Sequence, residues 1–482
     1  MSVLRMLLLG ILATCAALHA QVAGFQDDLR ERRAHLMELL DPDGMAIVFS
    51  APRRTYSRDI EYRYRQDSNL YYLTGIEQDR TTLVLMPGNE SCKEMLFTKA
   101  RNPEHEHWNG RVLSREEAAS LTGIATVLIA SEFESFVDSM LAGKPFEGLQ
   151  SECRRFLEAR KDGKAKVYLL LDPKAGYMEE GSPARMLAGR IKERFPSVTV
   201  EDATDFLQDL RQIKTKYEQR LLRESLQIAC DAQLAGMKAI RQGVYEYEIA
   251  AAIEAVFLSR GAEGWAYPTI VGSGPNATIL HYSRYMRKMV EGDLLLVDAG
   301  PNYRYLAGDI TRTYPVGGKY SRLQKDIYSI VLEARDAGVK AAVPGARLTD
   351  IHASAVDVIK DGLYRLGLIT EKSGDQYRAW FTHGSCHFIG IDVHDVGDDK
   401  RRLAPGMAFT IEPGIYIRPE ALDALAQGTG KRDVVAQVRP KFDLYRDIGI
   451  RIEDSFLMTE TGLECLSDGV PRTIEGIEAN LK

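Results

Sequence analysis

Five donors of the metal-ligand type fall in the C-terminal half of the chain, at the ends of apolar runs or beside glycines: Asp298, Asp309, His387, Glu412 and Glu453. Asp298 closes Leu294-Leu295-Leu296-Val297. Glu412 closes Met407-Ala408-Phe409-Thr410-Ile411, directly before Pro413-Gly414. Burying several carboxylates together is costly unless a cation compensates them. Four carboxylates and one imidazole overfill a cation-free pocket, but suit two divalent ions that share bridging carboxylates. The set reads as a dinuclear metal site.

More side chains suited to chemistry surround these donors. His383-Gly384-Ser385-Cys386-His387 and Gly390-Ile391-Asp392-Val393-His394-Asp395 place three of the nine histidines within twelve residues. Imidazole binds divalent transition metals and titrates near neutral pH, so the cluster suggests metal binding combined with proton transfer. In Gly449-Ile450-Arg451-Ile452-Glu453-Asp454 the apolar and charged residues alternate, which puts Arg451 and Glu453 on one face of a strand. The plainer alternative is an amphipathic surface strand. Arg451 would either neutralise a carboxylate or orient substrate. His281, after Ala277-Thr278-Ile279-Leu280, is a further candidate. Met289 to Gly317 reads as two strands joined by a turn at Gly300-Pro301-Asn302, which would set Asp298 and Asp309 side by side. Asp309 as a turn cap, and Asp298 as an acceptor for backbone donors, are the alternatives for that pair.

Two domains are expected to position these groups. Residues 25–210 read as an α/β domain with buried strands at Ala46-Ile47-Val48-Phe49, Thr82-Leu83-Val84-Leu85-Met86, Val127-Leu128-Ile129-Ala130 and Val167-Tyr168-Leu169-Leu170-Leu171. The charged, aromatic stretch Arg53 to Arg65 is expected to cover a surface or a partner. Ala142 to Pro183 is expected to include an exposed excursion. Around Asp205 to Lys216 the chain should enter a long helix, with Gly243 as its stop. A second helix should run from Glu246 to Arg260, ended by Gly261. Ser321 with Gln324 forms a capping box for a third helix, and Thr349 is expected to cap a fourth, running to about Leu366. The second domain, residues 213–475, is of α+β class.

Composition narrows the function. The 482 residues carry a net charge of -6 with no basic stripe, which argues against a nucleic-acid binder. No later segment reads as a membrane span. At the N-terminus, Arg5 and the apolar run Met6 to Leu18 before Ala20 fit a secretory signal peptide over residues 1–20, so the protein is expected to be exported to the periplasm or secreted. Lipid attachment at Cys15, or a retained cytoplasmic N-terminus, are the other readings. The remaining cysteines, Cys92, Cys153, Cys230, Cys386 and Cys465, are odd in number and irregularly spaced, so they form no disulfide framework.

Together these stretches resemble the Xaa-Pro aminopeptidase (aminopeptidase P) and prolidase family, whose catalytic domain has the pita-bread metallopeptidase fold. The motifs run in the family's order from Ile279-Leu280-His281-Tyr282 through Val297-Asp298-Ala299-Gly300, Gly308-Asp309-Ile310-Thr311-Arg312-Thr313, His387 to Gly397 and Ile411-Glu412-Pro413-Gly414 to Arg451-Ile452-Glu453-Asp454. Asp67 to Gly75 and Arg101 to Gly110 extend the likeness into the first domain. The resemblance implies two divalent ions of the Mn²⁺ type held by Asp298, Asp309, His387, Glu412 and Glu453, with Asp309 and Glu453 bridging. It implies a hydroxide between the ions that attacks the carbonyl before proline, with Glu412 relaying its proton. It gives His281, His383 and His394 roles in holding the intermediate and protonating the proline nitrogen. Tyr416 and Arg451 match positions near the site, and His281, His394, Tyr416 and Arg451 are expected to contact substrate. The partners are proline-containing peptides, and a homo-oligomer, dimer or tetramer, is expected. Ser385-Cys386 departs from the family's usual pair before the ligand histidine. Glu420 to Tyr445 resembles an insertion of prolidases, which leaves Xaa-Pro dipeptidase open, although Tyr305 to Pro315 is closest to the aminopeptidases. The remaining rivals are a cysteine hydrolase built on Cys386, a metal-free creatinase-like hydrolase and an inactive peptide-binding homologue.

Overall fold

A computed structural model describes residues 24–149, 152–172, 181–429 and 432–481. The expected signal segment 1–20, with Cys15, lies outside the described residues, as does part of the stretch from Ala142 to Pro183. The chain divides into two compact units, one ending at Arg211 and the other beginning at Gln212.

The first unit is built on a six-stranded sheet of β1 (Gly44–Phe49), β4 (Thr82–Leu85), β5 (Glu94–Thr98), β6 (Thr126–Ile129), β7 (Lys166–Leu169) and β8 (Thr199–Asp202), in the order β6-β5-β4-β1-β7-β8. The β1–β4 and β4–β5 pairs are antiparallel, and the other three are parallel. The parallel pairs reflect helical crossovers, which is the α/β pattern expected from the spacing of the apolar runs. Two strands were not legible as such: β5, and β8, whose Thr-Val-Glu-Asp is mostly exposed at a sheet edge. Within Arg53 to Arg65 the chain makes a small hairpin of β2 (Thr55–Ser57) and β3 (Ile60–Glu61), leaving Tyr56, Ile60 and Tyr62 exposed.

The second unit is α+β. The expected single entry helix is two helices, Thr204–Gln212 at the end of the first unit and α1 (Lys216–Ala239) in the second. The break comes where Thr215 and Glu218 form a reciprocal capping box that restarts the helix. Then follow α2 (Glu246–Ser259), α3 (Arg322–Ala341) and α4 (Leu348–Leu366). Ser321 and Gln324 cap α3 reciprocally. Thr349 does not cap α4. The Asp350 carboxylate accepts from the Arg347 N–H, so the cap falls two residues earlier than Thr349.

Two three-stranded antiparallel sheets pack with these helices: β10 (Ile270–Ser273), β11 (Leu294–Ala299) and β14 (Ile310–Pro315) in one, and β15 (Ala408–Ile411), β18 (Asp454–Thr459) and β19 (Gly462–Cys465) in the other. A further pair joins β16 (Gly414–Tyr416) to β17 (Gly449–Arg451). Glu420 to Tyr445 folds as two helices, Pro419–Thr429 and Arg432–Tyr445.

The connection between Asp298 and Asp309 differs from expectation. Gly300-Pro301-Asn302 is no turn, because the chain continues as β12 (Pro301–Tyr303) and returns through β13 (Leu306–Ala307). The reversal is at Arg304-Tyr305, both with positive φ (49° and 64°), as a tight hairpin turn requires. Gly300 is needed for another reason. A Cβ there would lie 1.7 Å from the Gly308 carbonyl oxygen, so only glycine lets the two arms pinch together beside the aspartates.

Candidate metal centre

Asp298 pairs with Thr311 in the β11–β14 register, and Asp309 immediately precedes β14, so the two carboxylates are brought side by side. Glu412 follows the last residue of β15, and Glu453 lies between β17 and β18. His387 is on no strand. Its position is fixed by the bridge from Phe388 to Phe409 and by the Thr410 N–H donating to its carbonyl at 2.8 Å. The His387 Nδ1 bonds the Phe388 carbonyl at 3.0 Å. A carbonyl can only accept, so the proton sits on Nδ1 and the Nε2 lone pair is left free for a cation. That Nε2 lies 3.5 Å from Asp309, 3.7 Å from Glu412 and 3.8 Å from Glu453. Donor atoms of Asp309, His387 and Glu453 all fall within 4.8 Å of one another, as ligands of one ion do.

All five donors line a single cavity of about 700 Å³, together with His281, His383, His394, Arg451 and Tyr267. Among the described lining residues Arg451 is the only permanent cation, against four carboxylates. Desolvation pushes Glu412 up to about 8, with the charge of Glu453 adding to the effect. Asp309 is raised well above the carboxylate range by burial and then by the charges of Asp298 and Glu412, and Glu453 by burial and then by the charges of Asp309 and Asp298. Without a cation the protein must keep protons on these groups. Two divalent ions supply four positive charges, enough to offset the four carboxylates, and the donor set of oxygens with one imidazole suits hard divalent metals. The residues present fit the metal pair.

Tyr267 was missed by sequence reasoning, because a Tyr-Pro in a loop carries no signature. Its hydroxyl lies 2.6 Å from Asp298 and 2.5 Å from Asp309. The two carboxylates share the one phenolic proton, so Tyr267 ties Asp298 and Asp309 together. Outer groups that orient ligands affect metal affinity or activity by about 10–100-fold. Tyr267→Phe is expected to cause a loss in that range, measurable as bound metal per chain and as kcat. A variant matching the parent in both would remove this role.

Arg451 is buried, and its Nη2 donates to Asp298 at 2.5 Å, so it neutralises a carboxylate. Its strand is no surface strand, since Ile450 and Ile452 on the opposite face are both buried. Tyr416, expected to contact substrate, is 2% exposed and stands behind the cavity wall. Its hydroxyl accepts from Arg451 Nη1 at 2.8 Å and meets His383 Nε2 at 2.8 Å. His383 Nδ1 in turn donates to the Gly384 carbonyl at 2.7 Å. Both ring nitrogens of His383 are thus used within the protein. Burial, and then the Arg451 charge, pull His383 down to about 3, so its ring is neutral. His394 is drawn down to about 4 by burial and by the nearby His387 and His281, and its ring packs edge-on against His387 at 4.5 Å. Burial pushes the Cys386 thiol up, which disfavours the thiolate that a cysteine hydrolase needs.

Behind the donors, the buried Arg312 of β14 donates to the Glu453 carbonyl at 2.6 Å and to the Asp454 carboxylate at 2.7 Å. The Thr311 hydroxyl donates to Glu453 Oε2 at 2.8 Å. These bonds join the strand that follows Asp309 to the segment that carries Glu453.

Comparison with known proteins agrees with this geometry. The model of metallopeptidase family M24 matches residues 220–460, and that of the aminopeptidase P N-terminal domain matches 29–147. The chain is 33% identical over 464 residues to Xaa-Pro aminopeptidase of Escherichia coli K12, covering 94% of this chain and 97% of the relative. The chain belongs to metallopeptidase family M24. Among M24 relatives, the Xaa-Pro aminopeptidase of Haemophilus influenzae is 32% identical over 462 residues, covering 94% of this chain and 96% of its own. The structure of Pseudomonas aeruginosa aminopeptidase PepP matches with TM-score 0.79 and 32% identity over 95% of this chain and 98% of that one. Zn-substituted Escherichia coli aminopeptidase P in complex with product matches with TM-score 0.79 and 33% identity over the same shares. The M24 chain described here is therefore a pita-bread metallopeptidase with an aminopeptidase P-type first domain, and a hydrolase that depends on divalent metal.

Proposed function

We propose that the protein removes the N-terminal residue from peptides with proline in second position. The observation that carries the reading is the single cavity in which five metal donors, three histidines and Arg451 converge. The relatives' names support aminopeptidase over dipeptidase. Asp298, Asp309, His387, Glu412 and Glu453 would hold two divalent ions, of the Mn²⁺ type, with Asp309 and Glu453 shared. Such ions supply polarisation of the carbonyl before proline and acidification of water.

The protein's own groups do the rest. Glu412, at the cavity wall beside His387, would be placed to take and return the proton of the attacking water. His281 and His394, at the cavity wall, hold the peptide, and the neutral ring of His394 can both accept and donate there. Arg451 pairs with Asp298 and, through Tyr416, fixes the ring of His383. Export directed by residues 1–20, and assembly as a homo-oligomer, remain part of this reading. The exposed aromatic hairpin around Tyr56 and Tyr62 offers a face for assembly.

The test is a substrate panel with Mn²⁺-loaded enzyme. Release of alanine from Ala-Pro-Phe and longer Ala-Pro peptides is expected, with Ala-Pro dipeptide a poor substrate. Cleavage confined to the dipeptide would make the protein a prolidase, and no cleavage of either would make it an inactive homologue.

A further inference from the structure

The catalytic cavity does not end at His281. A second cavity, of about 730 Å³, shares His281 and Ser283 with it and is walled by Asn276, Ile279, Tyr282, Arg284, Met286 and Arg287. The end of the first cavity near Asp298 and Arg451 is buried. An exopeptidase needs room for only one residue before the scissile bond, whereas the chain after proline can have any length. The open side suits that longer part.

The wall of this second cavity is prebuilt. Tyr285 has φ 56°, a left-handed conformation that strains a bulky residue by on the order of 1 kcal/mol and persists only where surroundings impose it. Here the Tyr285 hydroxyl donates to the Thr269 carbonyl, and its carbonyl accepts from Tyr247 at 3.1 Å. The fully buried Glu246 carboxylate accepts from the Ser273 N–H and hydroxyl, Asn276, the Tyr282 hydroxyl and the Arg287 N–H, at 2.7–3.0 Å. On this frame Ile279 and Met286 stand 49% and 71% exposed, large apolar groups held in water. Arg287 is neutralised by Asp293. Arg284 is exposed and has no ion-pair partner among the described residues, and no carboxylate lines this cavity.

We propose that this second cavity seats the peptide beyond proline, with Ile279 and Met286 meeting the next side chain and Arg284 taking the C-terminal carboxylate of a tripeptide. The inference rests on the Xaa-Pro aminopeptidase reading and specifies its substrate class: short peptides with an apolar third residue and a free carboxyl end.

An exposed ion pair amounts to at most about fivefold in affinity. Mn²⁺-loaded enzyme should favour Ala-Pro-Phe over its C-terminal amide by about that factor in kcat/KM, and Arg284→Glu should bring the ratio to one or below. Met286→Ser should flatten the preference for phenylalanine over glycine after proline. Calorimetry with Pro-Phe and its amide should show the same dependence on Arg284 in binding. An active parent indifferent to the carboxylate, or a ratio unmoved by Arg284→Glu, overturns the subsite alone. A parent that cleaves no Xaa-Pro peptide overturns the activity reading and the subsite with it.

Discussion

Asp309→Ala is expected to lower kcat by at least about a thousandfold, equivalent to roughly 4 kcal/mol of lost transition-state stabilisation. Asp309 is 4% exposed and lies between Tyr267 and His387, with its charge acting on Glu453. Its removal takes away a donor proposed to serve both ions, so bound metal per chain should fall as well. The fold should survive, because the strands on either side are held by backbone pairing and by Arg312. In chelator the variant should unfold at a higher temperature than the parent, since one member of a mutually repelling group has gone. Activity within tenfold of the parent would contradict the bridging role, and a lower unfolding temperature in chelator would contradict the electrostatic account.

Removing metal should also reverse how stability depends on pH. In the folded protein Glu412 is raised from 4.5 to about 8, and Asp309 and Glu453 are displaced in the same direction. Between the unfolded and folded values the native state therefore binds more protons than the unfolded chain. Stability is fully present below about pH 4.5 and is lost as pH rises through about 8. At about 1.4 kcal/mol per tenfold change in proton affinity, Glu412 alone contributes on the order of 5 kcal/mol. With Mn²⁺ in excess the trend should turn over, because deprotonated donors bind cation and metal binding stabilises the folded state. Urea midpoints at pH 5 and pH 8, with EDTA or with Mn²⁺, read this directly. A midpoint in EDTA that does not fall with pH would sink it.

The proposed metal donors stood out because a carboxylate at the end of an apolar run has no folding reason to be there. Asp298 and Glu412 stood out on that ground alone. Arg451 and Glu453 were placed on one face by strand period, yet the same pattern implied a wet opposite face, which the buried Ile450 and Ile452 do not have. Tyr267 and the position of Tyr416 behind the wall depend on contacts between segments far apart in sequence. The hairpin at Arg304-Tyr305 was hidden because two non-glycine residues adopt positive φ, while the glycine that looked like the turn serves the close approach to Gly308. In the first unit, β8 escaped because an exposed edge strand needs no apolar pattern.

Arg312 has a consequence for which metals the enzyme can use. Because its guanidinium binds both the Glu453 carbonyl and Asp454, the backbone that carries Glu453 is tied to the strand that follows Asp309, which restricts how far the two carboxylates proposed to be shared can move apart to suit the radius of a guest ion. Substituting one divalent metal for another should therefore change exchange rates and turnover more than the architecture of the centre.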